Sequence, residues 1–130
     1  MNTTSFLLVR LAIGASMLGH GLVRLPKLVE FSHWMVSSFE KSMLPKEMVL
    51  PFSYFLPVAE FSVGIMIISG LFTKMACIAG GMIMVALILG TALCENWEAL
   101  PSQLIHAAFF AFLLNYLTYN SYAVDNLISK

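Results

Sequence analysis

The fold is decided by the stretch Met75–Leu93, MACIAGGMIMVALILGTAL, which contains no charged residue. A helix of this length, at ~1.5 Å per residue, measures roughly 28 Å and matches the ~30 Å hydrocarbon core of a bilayer. The whole chain agrees with this stretch, because 59% of its residues are hydrophobic and 11% are charged. An ordinary water-soluble domain has about 25% charged residues. The sequence therefore predicts an integral membrane protein.

Three further apolar segments surround this stretch, so we expect a single all-α domain over residues 1–130, built as a four-transmembrane-helix bundle. Pro26 closes the first segment and Pro101 opens the fourth, since proline cannot continue the hydrogen-bond ladder of a helix but is accepted at its start. The predicted helices are Ser5–Leu25, Met48–Phe72, Met75–Leu93 and Ser102–Tyr119.

The first loop contains an apolar pattern of its own. Within residues 28–40, the side chains of Leu28, Phe31, Trp34, Met35 and Phe39 recur at helical spacing. This pattern predicts an amphipathic helical segment, which either lies on the membrane surface or packs as a lid over the mouth of the bundle.

Charge and small residues limit the possible partners. Seven Lys and Arg residues balance seven Asp and Glu residues, so no basic field is available and nucleic acid is excluded as a partner. The lipid bilayer is the first expected partner.

Small residues at helix-packing spacing, such as Ala76 with Gly80 and Ala86 with Gly90, place the third helix in the centre of the bundle or at an interface with a protein partner or a second copy.

The two cysteines exclude one class of chemistry. Cys77 and Cys94 lie at opposite ends of the third predicted helix, roughly 25 Å apart at ~1.5 Å per residue. A disulfide needs Cα atoms within about 7 Å of each other. The chain also has no C-x-x-C motif, so we do not expect a thiol oxidoreductase that works through its own cysteine pair.

Four ionisable residues are expected at bilayer depth, where a charge costs on the order of 3 kcal/mol: Arg10, His20, Glu60 and His106. Counting from Pro26 and Pro101 at ~1.5 Å per residue puts His20 about 9 Å and His106 about 7.5 Å below the same membrane surface. Glu60 lies about 4.5 or 13.5 Å deep, depending on whether its helix starts at Pro57 or Pro51. Three helices are therefore predicted to bring His20, Glu60 and His106 to one layer.

Several roles for this layer stay open. The three side chains can bond one another and only fix the packing, bind a metal or haem, serve a solute or proton path, or form a proton-coupled quinone pocket. We take His20, Glu60 and His106 as candidate catalytic residues and Arg10, His20 and Trp34 as candidate cofactor-binding residues. Quinone is the cofactor class considered, and no metal site is predicted, because no local motif such as His-x-x-Glu is present.

The chain resembles the DoxX-like family of small four-helix membrane proteins. The resemblance covers roughly Phe6 to Tyr119 and is best from Arg10 to Lys74. Its elements are Leu8-Val9-Arg10, His20-Gly21 followed by Leu25, Lys27 and Leu28, Glu60 with Gly64, and Gly70-Leu71-Phe72-Thr73-Lys74 with Ala76. By this resemblance Arg10, His20 and Glu60 belong to the family pattern, whereas His106 comes from the depth estimate alone.

The resemblance also implies a class of function. The family takes its name from a small membrane subunit of a thiosulfate:quinone oxidoreductase, and other members are implicated in redox or stress complexes or in the assembly of other membrane proteins. No sulfur-chemistry motif is visible in this chain. We therefore expect a redox-complex subunit with a quinone or proton-handling site, or alternatively a non-catalytic scaffold or assembly factor, in a bacterial inner (cell) membrane. An oligomeric solute or proton carrier is a third possibility.

Overall fold

The computed structural model describes residues 1–129, and over these residues it is helical without any β-strand. Short 3-10 turns follow the first long helix at Leu25–Lys27 and the last one at Leu117–Tyr119. The prediction of an all-α fold is confirmed. The helices are α1 (Thr3–Arg24), α2 (Leu28–Ser38), α3 (Lys46–Ser69), α4 (Thr73–Leu93), α5 (Leu100–Asn115) and the short α6 (Asp125–Ile128).

Four of these helices form a closed bundle. α1 packs against α3, α3 against α4, α4 against α5, and α5 returns to α1. The buried core between them is apolar and includes Phe6, Met17, Leu56, Ile67 and Phe110. The predicted four-helix bundle is therefore confirmed, with α2 added on the outside of α3.

Three helical segments are long and apolar enough to cross a membrane: Thr3–Ser38, Lys46–Ser69 and Thr73–Leu93. The first of them continues through the 3-10 turn at Pro26 into α2. α5 is equally apolar but has 16 residues, fewer than the ~20 that usually span a bilayer. Large apolar side chains such as Leu8, Ile65, Met82 and Leu89 cover the outside of the bundle, as lipid contact requires.

The observed helix ends differ from the predicted ones by a few residues. α3 runs without interruption from Lys46 to Ser69, so it starts before both Pro51 and Pro57, the two starting points considered in the depth estimate for Glu60. The predicted fourth helix continues to Tyr119, but α5 ends at Asn115. The chain bends there because Arg10 of α1 donates hydrogen bonds to Asn120 Oδ1 and to the Tyr122 carbonyl, both at 2.6 Å.

The C-terminal residues fasten the end of the bundle around Arg10. The Asn120 amide donates to Thr73 Oγ1, and the Asp125 carboxylate accepts from the backbone N–H groups of Phe72 and Thr73 at the start of α4. Burial works against ionisation of Asp125. The hydrogen bonds from Thr73 and Phe72 and the nearby Arg10 charge outweigh burial and hold the pKa of Asp125 below its usual range. This carboxylate is thus a helix cap supplied from elsewhere in the chain.

The closest helix contact is between α1 and α3. A Cβ added to Gly64 would lie 2.5 Å from the backbone nitrogen of Leu18, and one added to Gly21 would lie 2.6 Å from that of Phe61. Glycine at both positions lets the two backbones touch, which provides the dispersion contacts that hold membrane helices together. At Gly64 and Gly21 the near atoms belong to the backbone of the other helix, whereas Gly80 of α4 makes room for the side-chain ring of Phe110.

α2 lies against the bundle as a lid. Ser32 of α2 and Ser53 of α3 are both buried, and their hydroxyl groups are hydrogen-bonded at 2.7 Å. Met35 is also buried, whereas Val29 and Trp34 are more than half exposed. α2 packs on α3 and forms one wall of the cavity described next, as a lid would, whereas its position at the membrane surface stays a prediction.

Candidate functional site

A cavity of about 340 Å³ lies inside the bundle beneath α2, and each of the helices α1 to α5 contributes to its walls. The structure brings His20 of α1, Glu60 of α3 and His106 of α5 to this one cavity, together with Trp34 of α2. Its size is at the lower end of the range of small-molecule sites. Four of the five predicted site residues therefore share one space.

The two histidines are joined through Ser16. Their ring centroids are 6.1 Å apart and nearly perpendicular. The His20 Nδ1 atom lies 2.7 Å from the Ser16 carbonyl oxygen, and the Ser16 hydroxyl lies 2.7 Å from His106 Nε2. The His106 Nδ1 atom is in turn 2.7 Å from the Ser102 carbonyl oxygen. A single serine thus fixes the orientation of both rings.

These contacts also fix where the protons of the neutral imidazoles lie. A carbonyl oxygen only accepts hydrogen bonds, so Nδ1 must carry the proton in both His20 and His106. Nε2 is then the acceptor, and the Ser16 hydroxyl donates to Nε2 of His106. Reduction of a quinone needs proton donors at its carbonyl oxygens, and the two imidazoles are candidates for this role. In their neutral form they are acceptors at Nε2, and they donate from that atom only after taking up a proton.

Glu60 is held by an ion pair with Arg24. The Arg24 Nη1 group donates to both carboxylate oxygens of Glu60 at 2.8 Å. The Glu60 side chain is 3% exposed and that of Arg24 is 26% exposed. The acid is therefore the buried partner, and the pair explains how a carboxylate is tolerated inside an apolar bundle.

Aromatic side chains form the wall that α2 contributes. Phe31, Trp34 and Phe39 line the cavity, and the Phe31 and Trp34 rings are 5.7 Å apart. The Arg24 guanidinium lies 4.6 Å from the centre of the Phe31 ring, which is cation–π geometry. The cavity thus combines flat apolar surfaces with a small number of oriented polar groups, as binding sites for small aromatic molecules do.

One more polar side chain in the wall has an unused acceptor. The Gln103 amide nitrogen donates to Thr91 Oγ1 at 2.9 Å, which links α5 to α4. Its carbonyl oxygen Oε1 is buried and has no hydrogen-bond partner among residues 1–129. A buried acceptor without a partner is costly, and such groups are frequent where a ligand binds.

Arg10, the remaining predicted site residue, does not line the cavity. It is buried at the other end of α1, where it bonds Asn120 and Tyr122 as described above. The structure thus places it in the packing of the C-terminal segment. Among residues 1–129, no three His, Cys, Asp or Glu side chains are arranged to hold a metal ion.

Sequence reasoning missed three residues of the site: Ser16, Arg24 and Gln103. A signal for the first two was present, because Ser16, His20 and Arg24 follow each other at intervals of one helical turn and so share a face of α1. Gln103 lies one turn before His106 on α5, so the same spacing also marked it as a residue on the face of the site, but not its bond to Thr91.

A comparison with protein-family models decides the family. The DoxX model matches residues 5–92, well over half of the chain. The chain belongs to the DoxX family. The match contains α2, α3 and nearly all of α1 and α4, and with them His20, Arg24 and Glu60, whereas His106 on α5 lies beyond it. Searches of curated proteins and of solved structures found no match.

Family and helices together establish this DoxX protein as a multi-pass integral membrane protein. The resemblance found in the sequence is confirmed by the family match. The individual roles of His20, Glu60, His106, Arg10 and Trp34 stay predictions.

Proposed function

We propose that this DoxX protein is a membrane subunit of a redox complex, located in a bacterial inner membrane, and that its cavity binds a quinone-class ring. The observation that carries this proposal is the cavity itself. Two oriented imidazoles and an acid–arginine pair, supplied by three helices, lie opposite an aromatic wall in about 340 Å³ of space. This combination suits a flat ring with a polar atom at each end.

The chemistry of a quinone explains why such groups are useful. Conversion of a quinone to its hydroquinone consumes two electrons and two protons, and the reverse reaction releases them. In this proposal a redox centre of a partner subunit exchanges the electrons, while His20, Glu60 and His106 handle the protons. Trp34 and Phe31 would contact the ring.

Tryptophan fluorescence tests the proposal, because the chain has two tryptophans with the same exposure of 59%. Trp34 lines the cavity and Trp97 does not. Titration of the purified protein with a decyl-chain benzoquinone should quench the Trp97→Phe variant in a saturable manner, because Trp34 remains. The Trp34→Phe variant should show no saturable quenching. Equal quenching of both variants, or none, would contradict a quinone site in this cavity.

Glu60→Gln provides a second readout in the same assay. The substitution keeps the shape of the side chain but removes the charge that holds Arg24. We expect the quinone to bind about tenfold more weakly, since the groups that fix the ring lose their orientation. Ser62→Ala, at an exposed position of α3 outside the cavity, is the matched control and should leave the affinity unchanged.

A second candidate function is a non-catalytic scaffold or assembly factor. The observation in its favour is that the histidines and Glu60 already bond to groups of the protein, as purely structural residues would. If no quinone binds, and a partner membrane protein co-purifies equally with wild type and with Glu60→Gln, the scaffold is the better account.

A further inference from the structure

The directions of the hydrogen bonds in the cavity distinguish the two redox forms of the ring, the quinone and the hydroquinone. Nδ1 of neutral His20 is committed to the Ser16 carbonyl, so its Nε2 is an acceptor. No group within residues 1–129 donates to this Nε2 atom, and His20 is exposed where it lines the cavity. A ligand that reaches His20 therefore meets a lone pair and must supply the proton of the hydrogen bond.

The second imidazole, His106, adds no hydrogen-bond donor to this side of the cavity. Nε2 of His106 already accepts from the Ser16 hydroxyl, so it has no proton to offer a ligand. One turn before it on α5, the Gln103 amide is oriented with its N–H on Thr91 Oγ1, and in this orientation Oε1 is a further acceptor without a partner among residues 1–129. The histidine side of the cavity thus presents acceptors.

Arg24 does not distinguish the quinone from the hydroquinone. Arg24 uses Nη1 for Glu60, and within residues 1–129 no acceptor bonds its other side-chain N–H groups, so they can donate to a ligand oxygen. Both a quinone carbonyl and a hydroquinone hydroxyl accept such a bond. The difference between the two forms therefore arises at His20, where only the hydroxyl can donate.

We infer that the cavity, with its histidines neutral, binds the hydroquinone form of a quinone-class ring in preference to the quinone. This inference rests on the proposed function. A quinone carbonyl placed against His20 sets two lone pairs against each other and leaves Nε2 without a bond, whereas a hydroxyl donates to it. One such neutral hydrogen bond corresponds to about a fivefold difference in affinity.

The test compares two probes in one assay. The decyl-chain benzoquinone and its hydroquinone are titrated under argon into the Trp97→Phe protein, with Trp34 as the reporter. We expect the hydroquinone to bind about fivefold more tightly. His20→Phe and Gln103→Met, which remove an acceptor, should each reduce this ratio. Leu104→Ala, on the exposed face of α5 and outside the cavity, is the control and should preserve the ratio.

The outcomes separate this inference from the proposed function. Binding of both forms with equal affinity, or tighter binding of the quinone, would overturn the preference while leaving a quinone-class site in place. A preference that survives both His20→Phe and Gln103→Met would overturn its assignment to these acceptors. Absence of saturable binding by either form would overturn the proposed function, and the inference with it.

Discussion

Arg24→Met is expected to destabilise the protein more than Glu60→Gln, although the two residues form one ion pair. The reason is the difference in burial: the Glu60 side chain is 3% exposed and the Arg24 side chain 26%. Removing Arg24 leaves a buried carboxylate without its cation, at a cost of about 3 kcal/mol. Removing the charge of Glu60 leaves an arginine that can still reach water or lipid headgroups, at a cost of about 1 kcal/mol.

The double variant completes this prediction. With both charges absent, no buried charge is left unpaired, so Arg24→Met with Glu60→Gln should cost about 1 kcal/mol, well below the sum of the single variants. Thermal unfolding of the purified protein in detergent micelles, followed by circular dichroism, measures the four free energies. Additive single effects, or a larger loss for Glu60→Gln than for Arg24→Met, would contradict the ion pair as described.

Gly64→Ala is expected to loosen the contact between α1 and α3. The new Cβ would lie 2.5 Å from the backbone nitrogen of Leu18, so the two helices must move apart. The cost of such overpacking is about 2 kcal/mol. Because α1 carries His20 and Arg24 while α3 carries Glu60, the same shift should also weaken ligand binding in the cavity.

Gly19→Ala is the matched control for this substitution. A Cβ at Gly19 has no atom within 4 Å, and alanine is the better helix former. We expect this variant to be as stable as wild type or slightly more so, in the same unfolding measurement. If Gly64→Ala were as stable as Gly19→Ala, the α1–α3 contact would not be as close as the structure has it.

Much of the fold could be predicted from the sequence, because a bilayer restricts the choice. Uncharged segments of sufficient length, bounded by Pro26 and Pro101, determine the helices to within a few residues. The end of α5 was misplaced, since Tyr116 to Tyr119 are apolar enough to continue a helix. What ends it involves Arg10, more than a hundred residues away, and no local pattern contains that information.

The candidate site was predictable in outline for a related reason. Charges are so rare inside this chain that depth alone brings His20, Glu60 and His106 together, as the structure also does. The depth of a residue in the membrane does not determine in which direction its side chain points around the helix axis. It also does not determine which side chain it pairs with. The Arg24–Glu60 pair and the Ser16 link depend on side-chain geometry, so they emerge only from the structure.

We propose above that a quinone-class ring binds between α1, α3 and α5 beneath α2. An experimentally determined map of the protein with the decyl-chain hydroquinone bound tests it most directly. We expect ring-shaped density in the cavity, with one oxygen within hydrogen-bond distance of His20 Nε2 and an aromatic contact to Trp34. A cavity that stays empty at saturating probe, or a ring bound only on the lipid-facing surface, would contradict it.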